Sequence, residues 1–351
     1  MLYQTQNPHG GDLSPQVKLD FSVNINPLGT PVSVMEAIQN ALENAAAYPD
    51  PFCREAVRAI ASHENVPEEY ILCGNGAAEL ICTYCAAAGA KTALIPVPTF
   101  SEYEAALRVN GCEVYHFILD EKKDFLPDGS FLEKIRQIRP DVIFLCHPNN
   151  PTGKLIPEEF LRGAIELCGE LDIRLFVDEC FLDFTENGTD AKSFLEGHRG
   201  LFILKALTKF YALAGIRFGY GLTSDQDLLR KMSSLVQPWN VSGIAQAAVP
   251  AAFNEKDYPE QTRDLITRER GWLSEELRKL GFPICGSDAN FILFRGPDQL
   301  RESLLRDGIA IRGCANFSGL GPGWFRTAVR NHKENTALIG AIRHVMEAQI
   351  P

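Results

Sequence analysis

No apolar run in this 351-residue chain is long enough to cross a bilayer. The nearest approach, around Leu80 to Ala90, is short and is broken by Thr83, Tyr84 and Gly89. The opening residues, Met1 to Ser14, lack both a basic start and an apolar core, so no secretory signal is expected there. Positive charge is also scarce: 34 Lys and Arg face 45 Asp and Glu, for a formal charge of −11. That deficit argues against a broad nucleic-acid surface and leaves room for a local basic pocket that takes a small anion. Internal repeats, low-complexity tracts and Gly/Ser linkers are absent, which excludes solenoids and flexible strings of modules. The expectation is a cytoplasmic globular protein with neither membrane nor nucleic acid as a partner.

What the chain does have is a core. At 45% apolar and 23% charged residues, it can bury one large or two mid-sized domains. Its ten cysteines stand in apolar contexts such as Cys73, Cys146, Cys168 and Cys285, which reads as buried, reduced thiols. Cys82 and Cys85 form a Cys-x-x-Cys, but they fall within an apolar helical stretch, Ala77–Ala88. No second pair or His partner stands nearby, so core packing is expected and a metal site is not.

From about residue 70 to 235, short apolar runs alternate with amphipathic segments. Strands are predicted at Tyr70–Cys73, Thr92–Pro96, Glu113–Ile118, Val142–His147, Arg174–Asp178, Phe202–Leu207 and Phe218–Leu222. Helices are predicted at Ala77–Ala88, Ser101–Asn110, Phe131–Ile138 and Glu158–Leu171. This rhythm implies an α/β fold with a mostly parallel sheet covered by helices. Beyond it, a long charged helix at Asp257–Leu280 is followed by shorter elements at Asn290–Arg295, Gln299–Asp307, Ile309–Ile311 and Trp324–Ala328. A final helix begins at Glu334. That layout suggests a smaller α+β domain, with the N-terminal arm packed on it or on a partner chain.

Ligands of open α/β sheets bind beyond the carboxyl ends of the strands, and four unusual groups stand at such ends, the last followed eight residues later by Arg217. Gly74-Asn75-Gly76-Ala77 joins a strand to a helix, where free N–H groups can hold a phosphate. His147-Pro148-Asn149-Asn150-Pro151-Thr152-Gly153 is a rigid loop whose Asn150 amide can donate to a phenolate-like oxygen. Asp178 closes the run Leu175-Phe176-Val177, where a buried carboxylate needs a cation or hydrogen-bond donors. Thr208-Lys209 ends another strand; a desolvated lysine has a lowered pKa and can condense with an aldehyde. Arg217 offers a forked donor set for phosphate. Each alone is equally well a turn, a cap or a surface charge.

In this chain order, the set resembles the fold-type I pyridoxal-phosphate enzymes, the class I/II aminotransferase family, over nearly the whole sequence. The resemblance implies pyridoxal 5′-phosphate as cofactor, a mostly parallel seven-stranded sheet and a smaller α+β C-terminal domain. It implies an arm at 1–45, a large cofactor-binding domain at 46–255 and a small domain at 256–351. Lys209 would bond the cofactor covalently, Asp178 would hold the pyridine nitrogen and Asn150 the ring hydroxyl. Phe100 would stack on the ring, with Gly76, Ala77, Thr208 and Arg217 around the phosphate. Tyr48, in Tyr48-Pro49-Asp50-Pro51, resembles the tyrosine that reaches a partner subunit's phosphate, which implies a homodimer with shared sites. Ala206 stands where the family commonly has a phosphate-binding serine.

Within the family, the opening His9-Gly10-Gly11 and Asp20 to Gly29 resemble the threonine-phosphate decarboxylases of cobalamin biosynthesis. So do the segments Asp178–Phe184, Pro238–Val241, Ile311–Phe317 and Phe325–Arg330. That branch implies decarboxylation of O-phospho-L-threonine to (R)-1-aminopropan-2-yl phosphate. Arg312 and Arg326, on the expected small-domain strands, would serve the substrate phosphate and carboxylate, joined by His9, Asn24 and Asn150. The alternative is an aminotransferase acting on histidinol phosphate or another amino acid. Those enzymes usually have Tyr where this chain has Phe181.

Overall fold

The computed structural model describes residues 9–11 and 15–347. Twelve strands are assigned among them, and we number them in chain order. The arm contributes the short β1, Leu19–Asp20. Seven more build the main sheet: β2 Ile71–Gly74, β3 Thr92–Val97, β4 Glu113–Ile118, β5 Val142–Cys146, β6 Arg174–Asp178, β7 Leu201–Ala206 and β8 Gly219–Leu222. The remaining four are β9 Phe291–Arg295, β10 Ile309–Ala310, β11 Arg312–Gly313 and β12 Trp324–Ala328.

The main sheet has the order β2-β8-β7-β6-β5-β3-β4, and β8 alone runs against its neighbours. Helices cover both faces, so the central strands lack a polar side. Every residue of β5 and β7 is buried, as expected where a sheet is enclosed from both sides. β4, at the edge, is half-exposed along its length. The register aligns the strand ends that matter: Cys146 sits opposite Asp178, Asp178 opposite Leu204, and Ala206 and Gly74 both opposite Gly219. Because β8 is antiparallel, its first residue lies at the same rim as the last residues of the others.

A second, three-stranded antiparallel sheet has the order β11-β12-β9. The short element expected at Ile309–Ile311 is β10, Ile309–Ala310, and a further strand, β11, follows it directly. β10 pairs in parallel with β1, while β11 pairs with β12. The arm therefore packs on this second unit, one of the two placements the sequence allows. The bonds that fasten it there include Ala328 N–H to Phe21 O at 2.9 Å, Arg330 Nη1 to Asp20 O at 3.0 Å, and Arg326 Nη2 to Ser22 O at 2.9 Å.

Four helices lie outside the sequence prediction: Val32–Leu42, Arg54–Glu64, Gln226–Leu235 and Gly243–Phe253. Several predicted boundaries shift by one or two residues, and one of these shifts bears on the site. β7 stops at Ala206, and Leu207 opens a single helical turn, Leu207–Phe210, that carries Lys209. The cysteine reading needs one correction: Cys82 is exposed. Its helix turns Leu80, Ile81, Tyr84 and Cys85 inward, which leaves position 82 on the outer face.

Candidate active site

The strand ends converge on a cavity of about 260 Å³ at the rim of the main sheet. Asp178, Asn150, Thr208, Lys209, Phe100, Ala77 and Arg217 line it from the sheet side. Arg326 and Arg312 close it from β12 and β11, and His9 and Asn24 from the arm. Two of the predicted residues are elsewhere. Tyr48 is 79% exposed and stacks on Trp239, with ring centroids 4.4 Å apart. Gly76 lies behind the wall.

Gly76 needs a different account from the expected one. Its N–H donates to Gly74 O at 2.8 Å, and the neighbouring Asn75 N–H donates to Glu79 Oε2 at 2.7 Å. Neither is directed at a ligand. Instead Gly76 has φ +83°, and a Cβ there would collide with the Arg217 guanidinium. Glycine thus supplies both the left-handed turn and the space that brings Arg217 to the start of helix Ala77–Ala88. The first-turn N–H groups of that helix have no acceptor within it, and Ala77 and Ala78 line the cavity.

Asp178 is buried at the end of β6. Its oxygens accept from two neutral donors: Tyr103 O–H to Oδ2 at 2.6 Å and Cys180 N–H to Oδ1 at 2.9 Å. Burial raises the pKa of its carboxyl, and these bonds offset only part of the shift. A cationic group brought beside it would remove the cost.

Lys209 faces the cavity from the opposite element. Burial, helped by the positive fields of Arg326 and Arg217, lowers its pKa to about 8. The turn that presents it is fastened from outside. Asn26 N–H donates to Lys209 O at 3.1 Å, Asn26 Nδ2 donates to Phe210 O at 2.8 Å, and Tyr258 O–H donates to Phe210 O at 3.1 Å.

Asn150 and Phe100 are held together by a neighbour. The Asn149 amide donates to Pro98 O at 2.9 Å and accepts from Thr99 Oγ1 at 2.8 Å, which ties the two loops. His147, from the same loop, accepts Ile156 N–H on Nδ1 at 3.0 Å, and its Nε2 lies 3.0 Å from Thr189 O. It braces the loop from outside the cavity.

Arg326 is the unusual charge. It is buried in β12, with Nη1 bonded to Asn150 Oδ1 and Nη2 to Ser22 O. No carboxylate forms an ion pair with it among the described residues, and Nε has no partner. Burial lowers its pKa to about 10, and Arg312 adds repulsion. Arg312 is its direct cross-strand partner, so two guanidiniums sit side by side on adjacent strands, an unfavourable pairing unless an anion joins them. Asn24, buried beside them, has an Oδ1 with no partner.

Sequence reasoning gave no role to Tyr103, Cys180, Ser22 or Asn26. Cys180, Ser22 and Asn26 lie inside segments that were singled out and Tyr103 inside a predicted helix, but the contacts of Tyr103 and Cys180 with Asp178 depend on how the elements meet.

The profile of the family described as "Aminotransferase class I and II" matches residues 16–342. The chain is 35% identical to a threonine-phosphate decarboxylase of Salmonella typhimurium, covering 98% of each. It is 30% identical to a histidinol-phosphate aminotransferase of Methanothermobacter thermautotrophicus, covering 92% of this chain and 88% of that one. The solved histidinol-phosphate aminotransferase from Clostridium acetobutylicum superposes with a TM-score of 0.88 at 33% identity, over 94% of this chain and 99% of that one. L-threonine-O-3-phosphate decarboxylase from Porphyromonas gingivalis gives a TM-score of 0.83 at 22% identity over the same shares, 94% and 99%, a likeness of fold.

Proposed function

Because the chain belongs to the class I and II aminotransferase family, whose cofactor is pyridoxal 5′-phosphate, we propose that it decarboxylates O-phospho-L-threonine. The product would be (R)-1-aminopropan-2-yl phosphate, for cobalamin biosynthesis. The observation that carries this reading is Arg326, a buried cation without a carboxylate partner among the described residues, set beside Arg312 in the cavity wall. Leaving such a charge unpaired is costly. A small substrate bearing both a phosphate and a carboxylate relieves it.

The cavity suits the cofactor on its own chemistry. Among the described residues Asp178 is a buried carboxylate with no cationic partner, and Lys209 is an amine of lowered pKa. Arg217 and the helix start at Ala77 share their rim. When bound, pyridoxal phosphate supplies an aldehyde for attachment and a ring that takes up electrons released at the substrate α-carbon.

The protein's part is positional and protonic. Asp178 favours a protonated ring nitrogen. Asn150, its Oδ1 taken by Arg326, has its amide nitrogen for the ring oxygen. Thr208, Arg217 and the first-turn N–H groups of Ala77–Ala88 hold the phosphate, and Phe100 covers a ring face. Lys209 would hold the cofactor through its aldehyde, and its amine stands where a proton could be carried to or from the substrate α-carbon. Arg312, Arg326, His9 and Asn24 set the substrate's orientation, and hence which α-carbon bond is broken.

We further infer a cytoplasmic homodimer in which Tyr48 serves the partner's site. In support, Tyr48 is highly exposed and lies outside its own cavity. The accompanying division is arm 1–45, large domain 46–255 and small domain 256–351.

A second reading, transamination of histidinol phosphate, is favoured by the 33% identity to the Clostridium acetobutylicum structure. The two separate in one assay. Phosphothreonine incubated with the loaded enzyme and no oxo acid should release carbon dioxide stoichiometrically with amine product. Amine transfer to an oxo acid without gas would replace our reading with the second.

A further inference from the structure

Tyr103 is fully buried in helix Ser101–Val109, yet its ring also lines the cavity. It packs among Phe100, Phe144 and Phe176, with ring centroids 5.6, 5.3 and 6.1 Å away. In such apolar surroundings a hydroxyl needs an acceptor, and this one donates to Asp178 Oδ2 at 2.6 Å. The other carboxylate oxygen accepts from the Cys180 backbone. A phenylalanine would fill the same apolar volume, so what the hydroxyl adds is its hydrogen bonding, to Asp178 first and also with the Cys146 thiol.

We propose that Tyr103 is a positioning residue that keeps the Asp178 carboxylate ionised and aimed into the cavity, and thereby sets how firmly the cofactor's ring nitrogen is held protonated. The inference rests on the role proposed above for Asp178. Its physical basis is the choice open to a buried acid with neutral partners: it can be protonated, or it can stay charged if enough donors face it. A charge-assisted hydrogen bond from a phenol is strong, and here it tips that choice.

The titratable and charged groups around Asp178 are few. Tyr103 faces it from its helix, Cys146 from β5, and Cys180 from the turn after β6. Lys209, Arg217, Arg312, Arg326 and His9 share the cavity. Glu179, next in the chain, bonds Ala191 N–H and pairs with Lys205 at 3.6 Å. Burial raises the pKa of both thiols and of the phenol above their usual values. Tyr103, Cys146 and Cys180 therefore remain neutral donors near pH 7, and Asp178 is the group among these four that can change charge in the acid range.

The test is the pH dependence of binding of pyridoxine 5′-phosphate to cofactor-free protein, followed by fluorescence. This probe has no aldehyde, so Lys209 attachment does not enter. Wild-type affinity should fall on the acid side as Asp178 gains a proton. In Tyr103→Phe the fall should begin about one pH unit higher, a roughly fivefold loss of affinity at the pH of the wild-type midpoint that approaches about tenfold at more acid pH. Asp178→Asn should abolish that acid limb, and adding Tyr103→Phe to it should then change little. A uniform loss of affinity with an unmoved acid limb would reduce Tyr103 to packing and overturn the proposal. Should Tyr103→Phe fail to fold, protein with 3-fluorotyrosine incorporated throughout, a stronger phenol donor, should move the limb to lower pH; no movement would overturn the proposal equally. Absence of any wild-type binding would instead count against the cofactor assignment itself.

Discussion

Lys209 shows how one side chain acquires its chemistry from position. An exposed lysine is almost wholly charged at neutral pH and is a poor nucleophile. In the cavity, loss of solvent and two nearby guanidiniums lower its pKa to about 8. The neutral amine is the form that attacks an aldehyde, and it grows as pH rises through that value. Covalent attachment of added pyridoxal phosphate to cofactor-free protein should therefore accelerate with pH and level off above about 8. Stopped-flow absorbance checks this; a rate still climbing toward the ordinary lysine range would mean that the site does not desolvate the amine. Asp178 was legible in the sequence because it closes an apolar run at a strand end, and Lys209 because it stands just past the end of the next strand, on the turn Leu207–Phe210. Tyr103 was not, because its partner lies 75 positions away, and in its own helix it reads as one more core aromatic beside Ala106 and Leu107.

Among elements, the strands were easier to read than the helices, and the reasons are physical. β5, β6 and β7 are near-continuous apolar runs because both faces of the sheet are covered. Helix Gly243–Phe253 is apolar almost all round, so it has no stripe to recognise. Helix Arg54–Glu64 buries a charge: Glu64, which reads as a solvent residue, is paired inside with Lys205 at 3.2 Å and accepts Tyr220 O–H at 2.5 Å. The turn Leu207–Phe210 is too short to hold itself. Its stability depends on bonds from the arm, above all from Asn26, whose acceptors include Phe210 O, 184 positions away. Asn26→Ala should destabilise the fold by about 1–3 kcal/mol, since it removes two buried hydrogen bonds, one to the Phe210 carbonyl, which keeps only Tyr258 O–H, and one to the Thr262 hydroxyl. It should also weaken cofactor retention. Denaturant unfolding with a parallel cofactor-release assay measures both. Unchanged retention would mean that Lys209 does not need the arm to hold it.

Across the whole molecule, the fold delivers distant residues to one place. Six strands pointing one way, with β8 reversed, put the ends of β2, β5, β6 and β7 and the start of β8 at a common rim. The second sheet adds two arginines and the arm adds His9 and Asn24. Charge follows the same division. The chain is acidic overall at −11, yet Lys209, Arg217, Arg312 and Arg326 all face one cavity, where a phosphorylated cofactor and an anionic substrate find their countercharge. That convergence is testable in a single preparation: load the protein with pyridoxal phosphate, fix the link with borohydride, digest, and map the modified peptide by mass. The account predicts one adduct per chain, on Lys209, lost in Lys209→Ala. Stoichiometric modification of another lysine, or none at 209, would contradict it.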